Sequence, residues 1–174
     1  MYGETTDTNA FVHCGDERFT MDAVFLKYGQ TVFRAAYAFV KNTHDAEDIT
    51  QEVFISLMRT MPLFESGEHC KAWLLHAAAN RCKSFFKSAW QRKTTGIEEN
   101  FPDESFTQSE GAVANAVSAL PLKYREVIYL YYIEGYKAKE LALLLHMPQN
   151  TVLSRLSRGR GLLKDALKGD FDIE

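Results

Sequence analysis

Pro148 limits what the C-terminal third of this chain can become, because proline lacks an amide hydrogen and clashes with a preceding helical turn. Before it, Leu141, Ala142 and Leu145 fall at the i, i+1, i+4 spacing of a short amphipathic helix, and His146 and Met147 lead into the break. Beyond it, Val152, Leu156, Leu163 and Leu167 return at helical spacing, with Pro148 suited to the first position of the new helix. Two helices across so tight a turn read as a helix-turn-helix. Its second helix keeps Gln149, Asn150, Thr151, Ser154, Arg155 and Arg158 on the outer face, and no acid interrupts the cations from Arg155 to Lys164. That composition suits a helix lying in a DNA major groove. A helical hairpin with a solvated basic face fits the same residues, so the pair alone does not decide.

The rest of the chain supplies the context. Its 174 residues, 46% of them hydrophobic, suffice for one or two small domains with real cores. The net charge is −3, so contact with nucleic acid requires local segregation of charge. Such segregation is present: Lys71, Arg81, Lys83, Lys87, Arg92 and Lys93 follow one another with no acid between, while Asp45, Glu47, Asp48 and Glu52 cluster upstream. No apolar run matches a membrane span, and the N-terminus lacks the pattern of a secretory signal, so a cytoplasmic protein without membrane insertion is expected. Cys14, Cys70 and Cys82 lack CxxC spacing and suggest neither a disulfide framework nor a zinc site. The pairs His13-Cys14 and His69-Cys70 could share a metal only if the fold united them; free cysteine is more often a small buried hydrophobe. No cofactor is expected, and no acid-base constellation gathers on a predicted face, which points away from an enzyme.

Residues 1–21 are polar, with scattered Phe11, Val12 and Phe19, and are expected to form a mobile tail. A first domain is expected over 22–93. Its first helix buries Phe25, Val32, Phe33, Ala36, Phe39 and Val40. The second, capped by Thr43, carries Asp45, Glu47 and Asp48 in its first turns, where the helix dipole favours negative charge. Ala46, Ile49, Val53, Phe54, Leu57 and Met61 form its apolar stripe until Pro62 ends it; a solvated acidic face explains the charges as well as a docking site does. A long third helix from about Glu68 to Gln91 combines Trp73, Phe85 and Phe86 with cations, a mixture able to stack on unpaired bases and track phosphates. Residues 94–110, with Gly96, Pro102 and five acids, read as a linker. The second domain, 111–170, opens with a helix over Ala112–Ala119, continues with one starting at Pro121, and ends in the helix-turn-helix. No strand pattern is apparent, so the expected fold is all-α.

Taken together, the two halves resemble the bacterial sigma factors of the small extracytoplasmic-function group, over almost all of Asp22 to Leu167. The resemblance rests on Asp45-Ala46-Glu47-Asp48-Ile49-Thr50-Gln51-Glu52-Val53-Phe54, on Lys71-Ala72-Trp73-Leu74 with Asn80, and on Leu120-Pro121, Arg125-Glu126, Glu134-Gly135-Tyr136, Glu140-Leu141-Ala142, Pro148, Thr151-Val152 and Ser154-Arg155-Leu156 with Arg158. It implies two helical domains on a flexible linker and a role in transcription initiation. The acidic helix (Asp45, Glu47, Asp48, Gln51, Glu52) would dock on core RNA polymerase. Lys71, Trp73, Asn80, Arg81, Lys83 and Lys87 would engage the melted downstream promoter element. Gln149, Asn150, Thr151, Ser154, Arg155 and Arg158 would read the upstream element as duplex DNA. An anti-sigma partner is also implied. Four positions depart from the family pattern: Met58 replaces a frequent tryptophan, Ser84 a usual aspartate, Lys137 a capping serine or threonine, and Leu153 a common basic residue. A helix-turn-helix regulator that is not a sigma factor is the alternative, and it would not need the acidic helix.

Overall fold

The computed structural model describes residues 11–94 and 112–171. Among them, a two-stranded hairpin precedes seven helices, so the all-helical expectation holds for everything except the start. The hairpin pairs β1 (Phe11–Cys14) antiparallel with β2 (Glu17–Thr20), Cys14 opposite Glu17. This corrects the expected mobile tail from Phe11 onward; residues 1–10 lie outside the described part. Of the two loop residues, Gly15 alone has positive φ (63°), as a type II′ turn requires, and β1 alternates with Val12 and Cys14 inward and His13 outward.

Thr20 joins the hairpin to α1 (Met21–Val40): its Oγ1 accepts from the Ala23 amide at 3.2 Å. Val24, Val32, Ala35, Ala36 and Phe39 bury the inner stripe, whereas Phe25 stays half exposed with its ring edge on Phe54. In α2 (Thr43–Thr60) the cap is Asn42, one residue before the expected Thr43, and its side chain accepts from the Asp45 amide at 2.9 Å. Ala46, Ile49, Val53, Phe54 and Leu57 are buried as the spacing predicts, and Pro62 follows the helix. The long α3 (Gly67–Thr94) turns Cys70, Leu74, Leu75, Ala78, Ala79 and Cys82 inward against α1 and α2.

The C-terminal unit comprises α4 (Ala112–Ala119), α5 (Leu122–Tyr132), α6 (Ala138–Leu144) and α7 (Gln149–Phe171). Residues 95–111, which hold nearly all of the expected linker, lie outside the described part. The turn between α6 and α7 closes as a Schellman motif. His146 takes the left-handed position (φ 51°), its amide donates to the Leu143 carbonyl at 3.3 Å, and the Met147 amide donates to Ala142 at 3.0 Å. Pro148 precedes α7 rather than opening it, and its carbonyl accepts from Thr151 and Val152. Gly159 lets α7 approach α5, since a Cβ there would stand 3.0 Å from Ile128 Cγ1.

The two units pack against each other. Phe39 of α1 meets the Tyr129 ring of α5 edge-on at 5.6 Å. Arg125 seals the joint: Nε and Nη2 donate to the Leu120 carbonyl (3.1 and 2.7 Å), and Nη1 donates to Phe39 (2.6 Å) and Ala38 (3.3 Å) at the carboxyl end of α1. Those carbonyls have no helical amide to accept from, and a cation there also meets the negative end of the helix dipole. Burial pushes the Arg125 pKa down to about 10, which leaves it charged at neutral pH.

Candidate nucleic-acid interface

The α7 face is built as the sequence suggests. Burial of Val152 and Leu156 leaves Gln149, Asn150, Ser154 and Arg158 exposed and Thr151 and Arg155 partly exposed. Asn150, Thr151, Ser154, Arg155 and Arg158 line one shallow groove together with Lys123 and Tyr124 of α5, which sequence reasoning missed. Arg158 stands beside the Tyr124 hydroxyl and lowers its pKa, with Lys123 acting in the same direction. The groove presents three cations and hydrogen-bonding side chains outward, a surface able to meet phosphates and base edges together. Arg158 is 35 residues after Lys123 and 34 after Tyr124 in sequence, and only the α5–α7 packing unites them.

The α3 face is arranged differently from expectation. Lys71 Nζ lies 2.9 Å from Glu134 Oε2 and over the Tyr136 ring at 5.8 Å. Lys83 Nζ lies 2.9 Å from Oε1 of Glu126, a carboxylate that is only 1% exposed. Arg81 pairs at 3.2 Å with Glu52, so one of the expected DNA-contacting cations and one of the expected docking acids are partners. Asn80 contacts His76 Nε2 through its side-chain nitrogen at 2.8 Å, and Lys87 is exposed. Glu126 and Glu134 belong to the C-terminal unit, which thus supplies counter-ions to the basic helix of the first. No spacing rule could pair residues this far apart in sequence.

Trp73, half buried, lies on the wall of a cleft of about 640 Å³ between the two units, whose other lining includes His76, Tyr136, Glu140 and His146. The His76 and His146 rings stand 4.5 Å apart. Burial, the neighbouring His146 and Lys83 lower the His76 pKa, against the nearby Leu144 backbone carbonyl, which favours the protonated ring and raises it. Of the α2 docking candidates, Glu47, Asp48, Gln51 and Glu52 are exposed and Asp45 partly so, and His44 lies 3.7 Å from Asp48. The inner stripe of α2 is committed to the core, which leaves this polar row at the surface.

The cysteines behave as buried hydrophobes. All three are free, and burial raises the pKa of Cys70 and Cys82 to about 12. Cys14 and Cys70 do come together, yet among the described residues no group of three metal-ligating side chains forms. Among the same residues, no helix is long and apolar enough to cross a membrane.

Residues 24–92 match the family model of Sigma-70 region 2, and residues 110–163 match that of Sigma-70, region 4. The extracytoplasmic-function RNA polymerase sigma factor SigE of Mycolicibacterium smegmatis is 29% identical over 94% of this chain and 68% of its own. SigW of Bacillus subtilis is 27% identical over 88% of this chain and 91% of its own. Among solved structures, the sigma factor RpoE in complex with the anti-sigma factor NepR from Bartonella quintana superposes with a TM-score of 0.67 at 23% identity, covering 83% of this chain and 94% of that one. CnrH in complex with the cytosolic domain of CnrY gives 0.62 at 22% identity, covering 87% and 89%. Both structural likenesses concern the fold.

Proposed function

Because this chain belongs to the sigma-70 family, in its extracytoplasmic-function group, we propose that it binds core RNA polymerase in the cytoplasm and directs initiation at a defined set of promoters. The observation that carries this reading is the presence of region 2 and region 4, in that order, in one chain. A helix-turn-helix regulator of another kind would have no use for the first of them.

The division of labour follows from the surfaces. The exposed acids of α2 with Gln51 form the polymerase-docking face. The α7 groove binds the upstream element as duplex, with Arg155 and Arg158 worth about 1–3 kcal/mol of discrimination each if they bond base edges. Trp73, Asn80 and the α3 cations hold the melted strand, where a base stacked on an aromatic ring contributes about 1–3 kcal/mol. Every step here is binding, so strand opening draws on binding energy to unstacked bases and needs no reacting group in this chain.

The ion pairs Lys71–Glu134 and Lys83–Glu126 mean that two of the strand-binding cations are engaged by the C-terminal unit in this arrangement. Release of Lys71 and Lys83 to the melted strand therefore requires the two units to separate. Control by an anti-sigma factor fits this requirement, because a protein that holds the units together would keep those cations occupied.

The test is reconstituted transcription. Core polymerase with this chain should initiate from specific start sites in a fragment library of the source genome, and core alone should not. Replacing both Asp48 and Glu52 by lysine should lower core affinity without unfolding the chain, while Arg155→Ala with Arg158→Ala should lower promoter selectivity with core affinity intact. Failure of the unaltered chain to bind core polymerase at micromolar concentration would end the sigma-factor reading.

A further inference from the structure

The hairpin Phe11–Thr20 lies ahead of the segment that matches region 2, which begins at residue 24. It is nevertheless built into that unit. The Gly15 amide donates to the Phe64 carbonyl at 2.7 Å, and the Phe64 amide donates to the His13 carbonyl at 3.0 Å, so the loop between α2 and α3 is held like a one-residue third strand. Val12 and Cys14 sit in the core against α1 and α3, 1% and 5% exposed. A Cβ on Gly15 would stand 2.9 Å from the Glu65 carbonyl oxygen, on a residue whose φ already excludes most side chains.

Phe64 carries the contact onward. Its ring is 4% exposed and meets the Trp73 ring edge-on, with centroids 6.0 Å apart, and the His69 ring at 5.5 Å. Both backbone polar groups of Phe64 are fixed by the hairpin, so the ring has little freedom and Trp73 packs on a fixed wall. The chain of contact runs from turn to loop, from loop to Phe64, and from Phe64 to the aromatic ring that faces the cleft.

We propose that the hairpin is a positioning element of the strand-binding face, setting Trp73 and the α2–α3 loop in the geometry that receives an unstacked base. This deepens the reading above, on which it rests for the role of Trp73. Pre-setting an aromatic platform removes an ordering cost that each strand-binding event would otherwise carry. Residues that never touch DNA, Gly15 and Phe64, thereby contribute to strand affinity.

The experiment uses the full chain bound to core polymerase. The probe is a duplex with a central bubble whose unpaired strand has been selected from a random pool by the unaltered holoenzyme. Gly15→Val and Phe64→Leu should each weaken binding to the bubble by about five- to tenfold, part of the roughly 5- to 150-fold that one stacked base contributes. Affinity for core polymerase, set by α2, should stay within about twofold. In a Trp90→Phe background, the emission of Trp73 should shift in both variants, a change that loss of global stability alone does not produce in folded protein. If Gly15→Val fails to fold, Phe64→Leu carries the test, because leucine keeps the site apolar and removes only the ring. Unchanged bubble affinity in the folded variants, with Trp73→Ala still impaired, would overturn the positioning role and leave the strand-binding reading standing. Unimpaired Trp73→Ala would overturn both.

Discussion

Replacing Glu126 and Glu134 together by glutamine tests whether region 4 masks the strand-binding cations. Lys71 and Lys83 each lie 2.9 Å from one of these carboxylates, and a lysine so paired adds no net charge at a phosphate. Neutralising both acids releases two cations. Each additional phosphate contact on a single strand steepens the dependence of log K on log salt by about 0.7, so the double variant should be steeper by about 1.4. Between about 50 and 200 mM salt that amounts to roughly a sevenfold larger loss of affinity than the unaltered chain shows, starting from tighter binding at the low end. The assay is fluorescence anisotropy of a labelled random-sequence oligonucleotide with the full chain over a salt series. The change should vanish when Lys71→Ala and Lys83→Ala are added, which separates unmasking from the general effect of removing two negative charges. An unchanged slope, or a change that survives loss of both lysines, would refute the masking argument.

The Lys83–Glu126 pair should be asymmetric. Lys83→Met leaves a carboxylate that is 1% exposed without its cation and should cost about 2–3 kcal/mol, below the 3–5 of a fully buried pair because the lysine side chain is 40% exposed; Glu126→Gln should cost under about 1, and urea denaturation ranks the two. Lys137 stands at the N-cap of α6, where only Glu140 reaches back to its amide, at 2.7 Å, and lysine offers no acceptor of its own. Lys137→Thr should therefore raise stability by about 0.5–1 kcal/mol, read as a shift of the denaturation midpoint at constant slope. His76 has a lowered pKa in the folded chain, chiefly through burial, so the folded state prefers it neutral; its contribution is complete above the ordinary value of 6.5 and is lost as pH falls from there through the lowered one. Stability of the unaltered chain should thus decline over that window more than that of His76→Gln, and parallel pH profiles would exclude His76 as the titrating group.

The sequence by itself determined the helices and their faces, because a 3.6-residue period is a local property and each long helix repeats it several times. The stripe Ala46, Ile49, Val53, Phe54, Leu57 and the span Ala112–Ala119 follow from spacing and breakers alone. It also set the segregation of charge between α2 and α3, which is written in order along the chain. Three things waited for the tertiary structure. The hairpin escaped because four-residue strands repeat their alternation too few times to stand out from polar sequence, and the backbone bonds that tie it to the rest of the unit are made with Phe64, some fifty residues on. Lys123 and Tyr124 joined the α7 groove only through the packing of α5 on α7. Arg125, Glu126 and Glu134 acquired partners across the joint between the units, where Arg125 reaches a carbonyl 86 residues away. A charge shows its own position in the sequence but not its counter-ion. That is decided where burial removes water and leaves another part of the chain as the only group able to satisfy it.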